Sequence, residues 1–320
     1  MKAVAIKAFG DAQVLGLASM PDRVPGPGEI AVAVSASGVN FMDIGIRRGM
    51  REVLLPHVLG VEGAGRVVEL GEGISNFAVG QRVAWVYVEG SYADRVVGPA
   101  TSFVPLPDEI SDEVAASVMM QGLTASHFAT EFYQVRPGDW ALVHAAAGGL
   151  GQLLTQIIKM SGGKVIGRVS RADKVEAAAR AGADHVIVDD GTAFADQALR
   201  LTGGEGVDVV FDGSGPATLD GSLAALRRAG TFCWYGPVLG ANTTLSIMSL
   251  PKSVKIGYAV FFDHIPTPER LRERTARLFT WVRDGKLRLD KPTIYPLAKA
   301  AAAHAAMEAR SSTGKLLLVP

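Results

Sequence analysis

The stretch that most narrows what this chain can fold into is Val143-His144-Ala145-Ala146-Ala147-Gly148-Gly149-Leu150-Gly151-Gln152-Leu153. An apolar run, Trp140 to His144, precedes the glycines, and apolar positions at Leu153, Leu154, Ile157 and Ile158 follow with the spacing of one helical face. Strand, small-residue turn and helix in that order fit Ala146-x-Gly148-x-x-Gly151, a dinucleotide fingerprint with alanine at its first position. Each glycine answers a separate demand. Gly148 lets the backbone approach a pyrophosphate, and Gly151 lets the helix pack closely on the strand, while the helix N-terminus offers free N–H groups and partial positive charge. A turn of small residues can also serve packing alone, so the context decides. Downstream, WALVHA, KVIGRVS, HVIVDD, VDVVFDG and TFCWYG alternate with helical stretches such as GQLLTQIIKMSG, ADKVEAAARAG, FADQALRLTG and ATLDGSLAALRRAG. That rhythm makes βαβ units on a parallel sheet, the setting in which the fingerprint binds a dinucleotide.

The second strand of the series bears on which dinucleotide. A site for NAD usually ends this strand with an acid that holds the ribose 2′-hydroxyl. Here KVIGRVSRADK ends in Ser170-Arg171, with Lys174 one turn later and no acid at the tip. A hydroxyl and two cations suit a 2′-phosphate and favour NADPH; the competing reading makes Arg171 and Lys174 solvated charges at a helix start, and Asp173 and Asp189 nearby count against the electrostatics.

The rest of the chain reads differently. EIAVAVSASGVN (29–40) and PHVLGVEGAGRVVELGEGISNFAVGQRVAWV (56–86) are short strands punctuated by glycine, and SDEVAASVMMQGLTASHFATEF opens a helix with Ser111 as its N-cap. After residue 268 come a charged amphipathic helix, a strand, an Ala-rich helix (298–309) and the strand GKLLLVP, which do not continue the βα rhythm and are assigned to the first domain. Two domains follow: residues 1–117 with 263–320, and residues 118–262. With 32 basic and 32 acidic residues the formal net charge is zero, unlike a nucleic-acid binder. No apolar run reaches the roughly 18 residues of a membrane span. Lys7 and Gly10 interrupt what would be the apolar part of a leader, so a cytoplasmic protein is expected. Cys233 is the single cysteine, which rules out a disulfide framework and a cysteine-based zinc site. His57, His127, His264 and His304 show no ligand spacing, so no metal is expected.

GVNFMDIGIRRG (38–49), LGVEGAGRVVELGEGISNFAVGQRV (59–83), QGLTA (121–125), VHAAAGGLG (143–151), VDVVFDGSG (207–215) and TGKLLL (313–318) occur in the order found in one family. Over nearly its full length the chain resembles the medium-chain dehydrogenase/reductase superfamily, and within it the zinc-independent quinone oxidoreductase group that includes ζ-crystallin. The resemblance implies an α/β fold: a GroES-like, β-rich catalytic domain completed by the C-terminal tail, and an inserted doubly wound Rossmann domain, with nicotinamide in the cleft between them. Zinc alcohol dehydrogenases of the superfamily carry Cys where this chain has Asn40 and His where it has Val61, so alcohol dehydrogenation is disfavoured. The expected activity is NADPH-dependent, zinc-independent hydride transfer to quinones or α,β-unsaturated carbonyls. Its alternatives are a 2-enoyl thioester reductase, or an NADPH-binding protein with little turnover.

Site residues follow the same resemblance. Asn40 and Asp43 match positions lining the active site, unless they simply hold a turn. Arg51 stands where relatives often carry a Tyr, which leaves the proton donor open and hints at an anionic substrate; Tyr87 is a steric substitute. Ala147, Gly148, Gly149 and Leu150 are expected at the pyrophosphate, and Ser170, Arg171, Lys174 and Arg310 at the 2′-phosphate. Asn40, Thr124, Gly236, Phe261 and Phe262 are expected near the nicotinamide end. Lys315 either reaches back toward the cofactor or is a charge on a strand edge. His144 and Cys233 read as packed residues. The apolar strand SVKIGYAV (253–260) is expected to pair edge to edge in a homodimer.

Overall fold

The computed structural model describes residues 1–191, 193–236, 244–250 and 252–320. The chain divides into two compact units, one of Met1–Met120, Ile265–Arg283 and Leu289–Pro320, the other of Gln121–His264 and Asp284–Arg288.

The second unit is built on a six-stranded parallel sheet ordered His185–Val188, Lys164–Val169, Trp140–Val143, Val207–Asp212, Leu226–Trp234, Lys255–Tyr258. In order of appearance along the chain these are strands three, two, one, four, five and six, the Rossmann order. Sheet growth reverses direction beside Trp140–Val143, and in such sheets ligands bind at the carboxyl ends of the strands flanking that point. Strands covered on both faces must be apolar throughout, and KVIGRV is buried at every position after Lys164. Leu142 lies level with Ile166 on one side and Val210 on the other, and all three join Phe194, Leu219, Leu223 and Phe232 in one core. The helix Gly149–Met160 lays Leu153, Leu154, Ile157 and Ile158 into the interior, each contributing about 1.5–3 kcal/mol by burial.

One boundary departs from the sequence reading. LRRAG continues the preceding helix by pattern, yet the helix Pro216–Ala225 stops and a strand begins at Leu226. Pairing with Val207–Asp212 slips between Val207 and Val209, and Ala229 takes φ 59 there. This bulge breaks the strand's alternation, which made its first half read as helix.

In the first unit one sheet runs Thr293–Pro296, Leu316–Val319, Glu29–Gly38, Glu62–Leu70, Arg82–Val86, Phe103–Pro105, with Arg95–Pro99 paired to the first half of Glu29–Gly38. A smaller sheet joins Gly16–Ser19, Lys2–Ile6 and His57–Val58. The C-terminal strand enters the large sheet antiparallel to Glu29–Gly38, with Leu317 opposite Gly38 and Leu318 opposite Ser37. Trp85, Phe103, Ile30 and Val32 fill one core and Val4, Ile44, Leu59 and Leu318 another. No helix among the described residues is long and apolar enough to cross a membrane.

Candidate active site

In the first unit, register brings three distant residues together. The pairing of Leu316–Val319 with Glu29–Gly38 sets Lys315 beside Asn40, and the pairing of Ser37 with Gly63 sets Glu62 there too. Lys315 Nζ donates to Asn40 Oδ1 at 3.0 Å and to the Glu62 carboxylate. Glu62 also accepts from Asn40 Nδ2 and from the Met120 backbone N–H, both at 2.8 Å. Lys315 and Glu62 side chains are 3% and 0% exposed. Lys315 is therefore no strand-edge charge. Gly38 makes room for this arrangement, since a Cβ there would stand 2.6 Å from Glu62 Cδ and 2.7 Å from the Ala116 carbonyl oxygen. Glu62 is the member that sequence reasoning passed over; its signal was its place after Val61 in a motif that elsewhere binds metal.

The GVNFMD stretch is the start of a helix, Phe41–Arg47, with Asn40 as N-cap. Asp43 Oδ2 accepts from the Asn40 backbone N–H at 2.9 Å, which leaves the Asn40 side chain for Glu62 and Lys315. Asp43 has no exposed surface, so any part it takes runs through Asn40 and through Tyr92, whose hydroxyl donates to the same oxygen at 2.9 Å. Burial pushes the Asp43 carboxyl up to about 7, against the pull of those two hydrogen bonds. The chain of contacts continues from Tyr92 to His304 Nε2 at 3.1 Å, and from His304 Nδ1 to Arg47, which forks onto Glu308. Burial holds His304 down at about 3.

Arg51 is exposed and paired with Glu89 at 2.8 Å. Tyr87 is half-buried and lies just past the strand Arg82–Val86 with φ 60, a left-handed conformation that costs a non-glycine residue of order 1 kcal/mol and is found mostly at functional sites. Its neighbour Val88 donates to the Val61 carbonyl at 3.1 Å, so the strained residue adjoins the Val61-Glu62 pair. Arg310 follows the helix Ala300–Glu308, also left-handed at φ 53.

The second unit holds the glycine turn. Gly148 is the N-cap of Gly149–Met160, and the first N–H groups of a helix have no partner within it. Gln152 Nε2 ties the turn by donating to the Ala147 carbonyl at 2.9 Å. A Cβ on Gly151 would press on the Ala145 carbonyl oxygen and stand 2.7 Å from Ala146 Cα, so the close packing expected of this glycine is real. A Cβ on Gly148 would meet only the Ala145 oxygen, at 3.2 Å, so Gly148 answers no comparable demand within the protein. Gly149 faces Gln121, whose Cδ would be 2.8 Å from a Cβ and whose Oε1 is buried without a hydrogen-bond partner. Gln121, first residue of QGLTA, was not singled out by sequence; an orphaned amide oxygen over the turn makes it a cofactor-facing candidate.

Ser170 ends the second strand, half-buried. Arg171 folds onto Asp173 with two bonds of 3.1 and 3.0 Å, so its charge is matched until an anion competes. Asp189 is turned away, its Oδ1 taken by the Gly191 N–H at 2.6 Å and by Arg168 at 3.4 Å. Thr124 is half-buried on the helix Asp112–His127, and Gly236 is buried where a Cβ would stand 2.7 Å from the Gly213 carbonyl carbon. Phe261 is 9% exposed and Phe262 52%. His144 is a packed residue: it meets Ser222 Oγ at 3.0 Å and Arg168 at 3.4 Å, and burial pushes it down to about 4. Cys233 is buried and its thiol pushed up by that burial.

His127 and His264, which show no ligand spacing in sequence, meet around Glu131, with one ligand atom of each residue within 4.8 Å of the others.

Residues 26–108 match the alcohol dehydrogenase GroES-like domain family, and residues 181–318 the zinc-binding dehydrogenase family. The chain is 34% identical over 306 residues to 2-haloacrylate reductase of a Burkholderia species, covering 92% of each, and 35% identical over 325 residues to quinone oxidoreductase of Pseudomonas aeruginosa, covering 100% of this chain and 99% of that one. Escherichia coli quinone oxidoreductase, solved in complex with NADPH, superposes with a TM-score of 0.96 at 33% identity, each chain covered in full. A mycobacterial protein complexed with NADPH gives the same TM-score at 36% identity, again over both full chains. The chain belongs to the medium-chain dehydrogenase/reductase superfamily, in its quinone oxidoreductase group.

Proposed function

We propose that this protein is an NADPH-dependent reductase of quinones or α,β-unsaturated carbonyls that works without zinc. The observation that carries the reading is the Lys315 ammonium seated between Asn40 and Glu62. Residues present there suit a zinc ion poorly. Val61 has no lone pair, Asn40 offers a neutral amide, and the one carboxylate is engaged by the ammonium. A fixed positive charge thus stands among the positions where other members place a metal. An ammonium has three N–H donors, and two are used by Asn40 and Glu62, leaving one for an acceptor's oxygen.

The second unit fits NADPH. Gly148 leaves the turn open where no packing demand asks for a glycine, Gly151 closes the helix onto the strand, and the helix N-terminus presents N–H groups to a pyrophosphate. Ser170, Arg171 and Lys174 would hold the 2′-phosphate, Arg171 exchanging Asp173 for it, while the hold of Gly191 and Arg168 on Asp189 lessens the opposing charge. Thr124, Gly236 and Phe261 would flank the nicotinamide end. Bound NADPH supplies the hydride. Addition of hydride to a conjugated acceptor sends charge to its oxygen, which the Lys315 ammonium would stabilise electrostatically, with the Asn40 side-chain carbonyl holding that ammonium in place. Asp43 positions Asn40, and Tyr87, whose neighbour Val88 bonds the Val61 carbonyl, is a candidate to donate the proton. Two kinds of relative support a conjugated acceptor: quinone oxidoreductases, and a reductase of haloacrylate, which is a conjugated carboxylate. The Arg51–Glu89 pair gives an anionic group one place to compete.

We further place the enzyme in the cytoplasm as a homodimer. Lys255–Tyr258 is an edge strand with Ile256 and Tyr258 exposed, the kind of edge that a second copy covers.

The test is oxidation of NADPH followed optically against 1,4-benzoquinone, 9,10-phenanthrenequinone, an alkyl vinyl ketone, 2-chloroacrylate and crotonyl-CoA, with NADH and EDTA-treated samples alongside. Turnover that prefers NADPH and survives EDTA is expected. Turnover abolished by EDTA and restored by zinc in the His127→Phe variant as in the wild type would refute the zinc-free mechanism, and binding of NADPH without turnover of any acceptor would refute the enzyme.

A further inference from the structure

The cofactor turn and the Lys315 cluster leave unused a second group of side chains, lying wholly within the Gln121–His264 unit. The helix Asp112–His127 runs into a π turn, Phe128–Phe132, closed by the Tyr133 N–H on the Phe128 carbonyl at 3.0 Å. Wide turns of this kind are rare and concentrate at functional sites. His127 and Glu131, four residues apart across it, come to one side. His264 arrives from 133 residues beyond Glu131, at the end of the short turn Phe261–His264. His264 Nδ1 lies 2.7 Å from Glu131 Oε2, His127 Nδ1 lies 3.6 Å from the same oxygen, and the imidazole centroids are 5.2 Å apart.

Two imidazoles aimed at one carboxylate form an N2O donor set. With metal–ligand bonds of about 2.0–2.1 Å, tetrahedral ligand atoms stand about 3.3–3.4 Å apart. The two separations from Glu131 bracket that value, so binding asks for side-chain adjustments of well under an ångström there. The His264 and His127 side chains are 0% and 7% exposed and Glu131 is 30% exposed, which leaves one approach, on the carboxylate side. Phe128 and Phe132 flank His127 at ring centroids of 5.9 and 6.4 Å and give the cluster a dry wall.

We propose that His127, Glu131 and His264 bind a divalent transition-metal ion of the zinc class, with a fourth position open to water beside Glu131. Imidazole nitrogen selects such ions over Mg2+ and Ca2+, which take oxygen ligands. Occupancy pins the end of the helix to the turn that carries Phe261. The site is structural in effect and independent of whether the protein reduces quinones.

The experiment uses the full-length protein stripped with a chelator, then titrated with Zn2+ against a chromophoric chelator, with Mg2+ as control and Co2+ as a spectroscopic probe. One Zn2+ per chain, a raised melting midpoint, no effect of Mg2+ and the visible bands of four-coordinate Co2+ are expected. Glu131→Gln and His127→Phe, each checked for folding by its metal-free melting midpoint, weaken Zn2+ binding at least about tenfold and leave NADPH affinity unchanged. Absence of the Co2+ bands in the wild-type protein, or stoichiometric Zn2+ binding that survives both substitutions, would overturn the proposal and leave a His264–Glu131 hydrogen bond with His127 packed beside it.

Discussion

Replacing Lys315 with methionine isolates the energetics of the first unit's buried charge. Methionine keeps the length and apolar volume of the stem and deletes the ammonium. What remains is the Glu62 carboxylate, 0% exposed, with the Asn40 amide and the Met120 N–H still donating to it at 2.8 Å. Breaking a buried pair by removing one partner costs about 3–5 kcal/mol, because the survivor is a charge without its counter-charge. Two retained donors place Lys315→Met at the lower end, about 3 kcal/mol. At roughly 2–4 °C per kcal/mol for a unit of this size, the melting midpoint falls by roughly 6–12 °C. The double variant Lys315→Met/Glu62→Gln removes both charges and keeps an acceptor for Met120, so it recovers most of the loss. Glu62→Gln alone likewise leaves the ammonium without its counter-charge, so denaturant unfolding of wild type, both single variants and the double variant closes a cycle whose coupling is expected at about 4 kcal/mol or more. A loss below about 1 kcal/mol, the value of a solvated surface pair, or an additive cycle would refute the claim that Lys315 and Glu62 neutralise one another in the interior.

Gly151→Ala forces a Cβ against the Ala145–Ala146 backbone and is expected to lower both the melting midpoint and NADPH affinity, the latter by tenfold or more, which is about 1.4 kcal/mol; Gly148→Ala, checked by the same calorimetry, leaves the melting midpoint unchanged and loses affinity alone. Asp43 is pushed up to about 7 by burial, above its ordinary value of 3.8, so the folded state holds its proton more tightly than the unfolded chain. Its contribution to stability is fully present below about pH 4 and is lost as pH rises through about 7. Asp43→Asn removes that dependence, and the difference in unfolding free energy between wild type and variant is expected to change across this window and to be flat above it; a difference independent of pH would show that the carboxyl titrates normally.

How much of this was legible in sequence depends on how far apart the cooperating residues are. The glycine turn was legible because its demands are local: strand, turn and helix are contiguous, and the reason for Gly151 is a carbonyl six residues away. The parallel sheet followed from apolar runs that only two-sided burial explains. Leu226–Ala229 was misread because a bulge replaces alternation with an irregular stretch that resembles the helix before it. Lys315 shows the deeper obstacle. Lysines are almost never fully buried unless paired, so a lysine in TGK reads as an exposed charge until its partner is known, and that partner lies 253 residues away. Strand register, not spacing, delivers Glu62 and Asn40 to it. Spacing was silent on the meeting of His127 and His264 for the same reason, since residues read together from sequence share one element and these do not. What sequence did contain was half of each pair: Glu62 left after the loss of a histidine at Val61, and Glu131 four residues past His127. An acid stranded beside a vanished or distant partner is a reason to ask which cation the fold supplies, and Lys315 is the answer this fold gives to the first of those questions.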